Sequence, residues 1–175
     1  DEGDCQQAAS VRAANPCKCG YLTDASRACG RAPNCGEDYM GRISGPLMDR
    51  FDLRVDVPPV AYTDLDLPKD GDSSATVRQR VGAAREVQQE RYAKMPDMRS
   101  NADAAGEALS DVATPTAEGR ELLNRAAEQF KLSARGYHRV LRVARTIADL
   151  DNSQDVQKPH IAEAISFRLP SQLDG

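Results

Sequence analysis

The sequence predicts an α+β chain that is mostly α: two short strands and a cysteine-rich loop, then a bundle of four or five helices. Three observations predict it. All five cysteines fall within the first 35 of 175 residues, in a stretch dense in Gly and Pro. Apolar and polar residues alternate around Leu53, Val55 and Val57, the pattern of a half-buried strand. From Ser73 onward the apolar spacing changes to that of helices.

The elements follow in order. Residues 10–15 (SVRAAN) read as a first short strand, ended by the turn Asn15-Pro16-Cys17. Residues 52–60 read as a second strand, stopped by Pro58 and Pro59 because proline cannot donate to a ladder. Pro68 and the Asp70-Gly71 pair mark a linker over 66–72. Ser73 or Ser74 caps a helix with Val77, Val81, Ala84 and Val87 on its inner face, stopped at Met95-Pro96. A weaker helix spans 102–113. Thr116 caps the next, with Leu122, Leu123, Ala126 and Phe130 buried. Ser133 caps a helix through Leu150 whose apolar face is Tyr137, Val140, Leu141, Ala144, Ile147 and Ala148. Lys158-Pro159 opens the last, with Ile161, Ala164, Ile165 and Leu169 inward; proline is tolerated there because its missing N–H had no partner.

Composition narrows the function. A net charge of -4 excludes nucleic-acid binding by bulk charge, so any such binding needs a local basic patch. No apolar run approaches the roughly 18 residues that span a membrane. The acidic start DEGDCQQAAS lacks the basic and apolar regions of a signal peptide, and the expected compartment is the cytoplasm.

Four segments carry chemistry. Cys17, Cys19, Cys29 and Cys35 can close a tetrahedral four-thiolate site for Zn²⁺; the same spacing is compatible with free thiols in a loop. Cys5 is a spare. Asn15 at a strand tip can orient a water or touch a terminal phosphate, or simply bond its own turn. Arg50, between Asp49 and Asp52, is either half of a surface ion pair or an arginine aimed at phosphate charge, which its planar fork suits. Arg42 is a second candidate. Arg135, Arg139 and Arg142 form a basic stripe opposite the apolar face, with His138 at its edge. Such a stripe is either a solvated face or a phosphate-facing one. Arg135 lies in the first helical turn, where free backbone N–H groups already favour an anion.

NPCKCGY, RISGPLMDRFDLRVDVPPV, LSARGYHRVLRVARTIADL and the closing HIAEAISFR together resemble the magnesium-chelatase-like AAA+ ATPases over roughly residues 11–168. Within that family the chain is most similar to the ComM type, associated with DNA branch migration in bacterial natural transformation. The resemblance implies residues 1–65 as the end of an AAA+ α/β core and 73–170 as its helical lid. It implies ATP and Mg²⁺ at the boundaries of a homohexameric ring, with DNA as the substrate. Asn15 matches sensor 1, Arg50 the arginine finger and Arg135 sensor 2, with Arg139 beside it on the nucleotide side. The family's commoner cysteine pattern has a second Cys-x-Cys pair; here Arg31 stands where its last cysteine would be, and Cys35 follows four residues later. No G-x-x-x-x-G-K-[ST] loop occurs in the 175 residues, and the acidic Mg²⁺-binding strand expected before sensor 1 is absent too. These 175 residues alone are therefore expected neither to bind ATP tightly nor to hydrolyse it. Two other readings stay open: a non-enzymatic module joining a zinc loop to a basic helix, and a motor subunit for magnesium insertion into a porphyrin.

Overall fold

The computed structural model describes residues 11–15, 17–22, 24, 26–57, 60 and 71–168. They belong to two compact units, Asp1–Met48 and Asp49–Gly175.

The first unit is built of turns and two short helices, α1 (Asn34–Met40) and α2 (Gly45–Met48). Neither helix carries an apolar stripe, so no periodicity announces them. Cys17 and Gly36 are the buried residues among those described in this unit.

The second unit is a helical bundle. Its helices are α3 (Ser74–Tyr92), α4 (Gly106–Val112), α5 (Ala117–Gln129), α6 (Ala134–Leu150) and α7 (Lys158–Ser166). Three begin on the expected caps: Ser73, Thr116 and Ser133 each accept a hydrogen bond from the third residue onward, at 3.1, 3.4 and 3.0 Å. Helix α7 opens on Pro159 with a reciprocal cap between Gln157 and His160, so His160 is a buried capping residue. Thr116 N–H donates to the Val156 carbonyl at 3.0 Å, which ties the start of α5 to the approach of α7.

Helix α6 lies at the centre, packed on α3, α4 and α7, and its apolar face is the one the spacing predicts. Leu123, Val140, Val156 and Ile161 are fully buried. Each such aliphatic side chain contributes about 1.5–3 kcal/mol by leaving water. A polar cluster crosses the same interior. Asp149 takes a fork of hydrogen bonds from Arg91 (2.8 and 2.5 Å), one from Asn101 Nδ2 (2.7 Å) and one from Arg145 Nε (3.1 Å). Burial alone would raise the Asp149 carboxyl; the Arg91 and Asn101 hydrogen bonds and the two guanidinium charges outweigh it and hold the group below its ordinary range.

Three expectations are corrected. Residues 11–15 and 51–57 form no strand, and Val11, Leu53, Val55 and Val57 are exposed. Alternation encodes a partner strand, and none among the described residues lies alongside to complete a ladder. In α3 the buried row is Ala84, Gln88 and Tyr92, whereas Val77, Val81 and Val87 face solvent. This row continues to Asn101, whose N–H reaches Gln88 and whose Oδ1 accepts from Tyr92. Phe130 is the C-cap of α5, beyond its last helical turn, and is 41% exposed rather than buried. Leu169, expected inside α7, lies outside the described residues.

Candidate functional site

In the second unit, the chain from Asp49 to Arg54 lies against the start of α6 and the end of α7, and the candidate arginines Arg50, Arg135 and Arg139 belong to these elements. Ser133 caps α6 and also donates its Oγ–H to Asp49 Oδ2 at 2.8 Å. Arg168 closes the same corner: Nη2 donates to Asp49 Oδ1 at 3.1 Å and Nη1 to the Phe51 carbonyl at 2.9 Å. Arg139, one turn into α6, pairs with Asp52. Arg54 N–H donates to the Phe167 carbonyl at 2.8 Å. Desolvation lowers the Arg168 guanidinium from its ordinary value, against the pull of Asp49. Its side chain is only 5% exposed, so it is held by these partners rather than by water.

This strap decides how the flanking carboxylates are used. Asp49 and Asp52 bond to Ser133, Arg168 and Arg139, so the surface ion pair that the sequence allowed for Arg50 does not form. Arg50 itself is exposed and makes no hydrogen bond or ion pair among the described residues. Arg135, the second residue of α6, is exposed and equally uncommitted. Arg50 follows a residue bonded to the α6 cap, and Arg135 lies two residues beyond that cap. The strap therefore brings the backbone next to Arg50 to the start of α6, the helix end that carries Arg135 and where the backbone dipole favours an anion.

The basic stripe divides. Arg139 is taken by Asp52, and Arg142 Nε donates to the Ala104 carbonyl at 2.7 Å. Arg135 and exposed His138 remain. Sequence reasoning missed Arg168 and the Asp149 cluster. A signal for the latter existed: Leu141, Arg145 and Asp149 share one i, i+4 row on the buried side of α6.

In the first unit, Asn15 is exposed and Arg42 is exposed. The turn after Asn15 closes with Gly20 N–H donating to the Cys17 carbonyl at 3.2 Å, and Gly20 has φ +80°. Cys17, Cys19 and Cys35 hold their sulfurs within 4.8 Å of one another and could hold a metal ion. The Cys17 and Cys19 sulfurs are 3.1 Å apart. Cys29 is a free thiol near the cluster but outside the group whose sulfurs lie within 4.8 Å of one another. The Cys17 sulfur, then the N–H groups of Tyr21 and Cys29, lower the Cys19 thiol to about 6. Desolvation first, then the Cys29 and Cys17 sulfurs, push the Cys35 thiol up to about 12. Cys5 lies outside the described residues.

Two family models together match nearly the whole chain. One described as magnesium chelatase, subunit ChlI C-terminal, matches residues 71–168, and one described as magnesium chelatase, subunit ChlI, matches residues 5–65. The competence protein ComM of Haemophilus influenzae is 36% identical over 164 residues, covering 93% of this chain and 31% of that protein. The uncharacterised protein YifB of Escherichia coli is 36% identical over 166 residues, with the same coverage of 93% and 31%. An uncharacterised protein of Mycobacterium tuberculosis is 37% identical over 158 residues, covering 90% of this chain and 31% of that protein. The chain thus spans about a third of the length of these relatives.

Proposed function

The chain belongs to the magnesium chelatase ChlI-like family of AAA+ proteins, and from that premise we propose that it supplies the arginine finger and sensor arginine of a ComM-type ATP-driven motor. The motor is a homohexameric, cytoplasmic ring that uses ATP and Mg²⁺ to remodel DNA. Arg50 reaches the nucleotide of a neighbouring subunit, Arg135 binds phosphate from the first turn of α6, and Asn15 aligns the lytic water. Arg139 joins the nucleotide-facing set when it releases Asp52. In this reading residues 1–65 end the AAA+ core, 66–72 link, and 73–170 form the lid. No helix among the described residues is long and apolar enough to cross a membrane.

One observation carries the reading. Asp49, Phe51 and Asp52 are bonded to Ser133, Arg168 and Arg139, and among the described residues the exposed Arg50 and Arg135 have no hydrogen-bond or ion-pair partner. Always-charged, planar guanidiniums held free are what phosphoryl transfer needs, and a finger arginine is worth about 10³–10⁵ in rate. The test is ATP turnover by a full-length protein containing this chain. Arg50→Ala lowers turnover by at least about 10³-fold while the ring still assembles; normal turnover with Arg50 and Arg135 both changed to Ala overturns the reading.

The family description itself favours a second reading, a motor for magnesium insertion into a porphyrin. The two separate on stimulation: added DNA raises turnover in the first, a porphyrin-binding partner subunit in the second. The non-enzymatic basic-helix module has less support, since Arg139 and Arg142 are spent on Asp52 and the Ala104 carbonyl.

A further inference from the structure

We propose that Cys17, Cys19, Cys29 and Cys35 bind one structural Zn²⁺, and that the ion fixes the turn on which Asn15 rests.

The first unit has little else to stabilise it. Among its described residues, Cys17 is the one buried hydrophobic side chain, and Gly36 the other buried residue. A segment of this size whose described residues bury so little apolar surface is the kind that a disulfide or a metal stabilises. The four described cysteines are all free thiols. The most buried side chain among the unit's described residues is therefore a ligand-type group with the sulfurs of Cys19 and Cys35 beside it.

The sulfur geometry agrees. Four thiolates around Zn²⁺ at about 2.3 Å place their sulfurs about 3.8 Å apart. Cys17, Cys19 and Cys35 lie within 4.8 Å of one another, with the Cys17–Cys19 pair at 3.1 Å. Small rotamer adjustments bring the three to that spacing. Cys29 stands outside this three-sulfur group but near enough to act on the Cys19 and Cys35 thiols, and it supplies the fourth ligand by moving in when the ion binds. The four come from three local devices. Cys17 and Cys19 lie in a tight turn closed by Gly20 N–H, Cys29 opens a turn in which Ala32 N–H bonds to its carbonyl at 2.9 Å, and Cys35 sits in the first turn of α1. The Tyr21 and Cys29 N–H groups point at the Cys19 sulfur, the outer-shell support a bound thiolate uses. Cys35, despite its displacement from the family's commoner spacing, joins Cys17 and Cys19 from the first turn of α1.

Asn15 is joined to the cluster by packing. A Cβ placed on Gly20 would lie 3.7 Å from Asn15 Nδ2 and 3.9 Å from its Cγ, so the Asn15 amide lies on the Cys17–Gly20 turn. Two of the four ligands are in that turn. Zinc binding fixes the surface beneath Asn15; its consequence for water alignment rests on the function proposed above, whereas the site itself does not.

The test uses the 175-residue chain and no nucleotide. Elemental analysis on protein purified under reducing conditions gives close to one zinc per chain, and a thiol reagent counts one fast thiol, Cys5, until a chelator frees the other four. Co²⁺ in place of zinc gives the absorption bands of tetrahedral thiolate coordination. Cys29→Ser and Cys35→Ser each weaken zinc binding at least about 100-fold, and Cys5→Ser leaves it unchanged. Five equally reactive thiols with no bound zinc, iron in its place, or a Cys17–Cys19 disulfide overturns the site. The Asn15 side-chain amide resonances shift on zinc removal; full zinc occupancy with those resonances indifferent to chelation overturns the coupling alone.

Discussion

Replacing Asp149 with Ala removes the centre of the buried ionic cluster. Asp149 is 0% exposed at its side chain, Arg145 3% and Arg91 19%. Breaking a buried pair by deleting one partner costs about 3–5 kcal/mol, because the remaining charge stays desolvated. Two features place this case near the lower end. Arg91 is exposed enough to turn toward water, and Arg145 keeps the Gln154 and Ser153 carbonyls at 2.7 and 2.6 Å. A loss of about 3 kcal/mol in a bundle of this size lowers Tm by roughly 12–24 °C. Thermal and urea unfolding of the 175-residue chain followed by far-ultraviolet circular dichroism reads it directly, since the signal comes mainly from α3 to α7. The companion variant is Asp149→Leu with Arg145→Met, which removes the two most buried charges, leaves the more exposed Arg91 to turn toward water, and recovers much of the loss. A cost below about 1 kcal/mol for the single variant, or no recovery in the double, refutes the claim that burial of these charges is what Asp149 answers.

The same carboxylate sets an acid limb. Its folded pKa is depressed, so its contribution is fully present above the ordinary carboxylate range and is lost as pH falls through the folded value; Asp149→Asn flattens the decline of stability below about pH 4, measured by urea midpoints against pH. Arg168→Met cuts the strap at two charge-assisted hydrogen bonds, each about 1.5–3 kcal/mol, and the Arg54 amide, bonded to Phe167, exchanges with deuterium at least about tenfold faster, while the Leu123 and Val140 amides do not change. The chain alone shows no ATP turnover above background, because nothing in it can cradle β- and γ-phosphates; phosphate release by the purified chain, abolished by Arg135→Ala, contradicts that.

Legibility in the sequence followed the range of the forces involved. Ser73, Thr116, Ser133 and Pro159 marked helix starts because capping is local, and the α6 stripe was readable because it recurs turn after turn along the helix. Val77, Val81 and Val87 misled for the complementary reason. A spacing shows which residues share a face, but not whether another element covers it. The alternating Leu53, Val55 and Val57 failed likewise, since a strand exists only in a pair. Of the candidate site, the residue types at Asn15, Arg50 and Arg135 and the four thiols were visible. The strap was not: Asp49 and Ser133 are 84 residues apart and Asp49 and Arg168 are 119 apart, and no local rule relates them.

What separates the arginines of this bundle is the supply of partners, and that supply is arranged by the aspartates. Asp149 collects Arg91 and Arg145, Asp52 takes Arg139, and Asp49 takes Arg168 together with the α6 cap. Asp149 and Asp49 thereby fix backbone as well as charge, because their arginine or serine partners also bond a carbonyl or an N–H nearby. Had Asp49 or Asp52 paired with Arg50, that guanidinium would be neutralised on the surface and the segment would lose one of its two ties to α6. Because both instead reach across to α6 and α7, the segment is anchored through its acidic residues while Arg50 stays available. Anchoring also couples two events that would otherwise be independent. Any tilt of α6 that moves Arg135 carries Ser133, hence Asp49, hence Arg50. In the motor proposed above, this path of hydrogen bonds from Ser133 through Asp49 would link phosphate binding at Arg135 to Arg50.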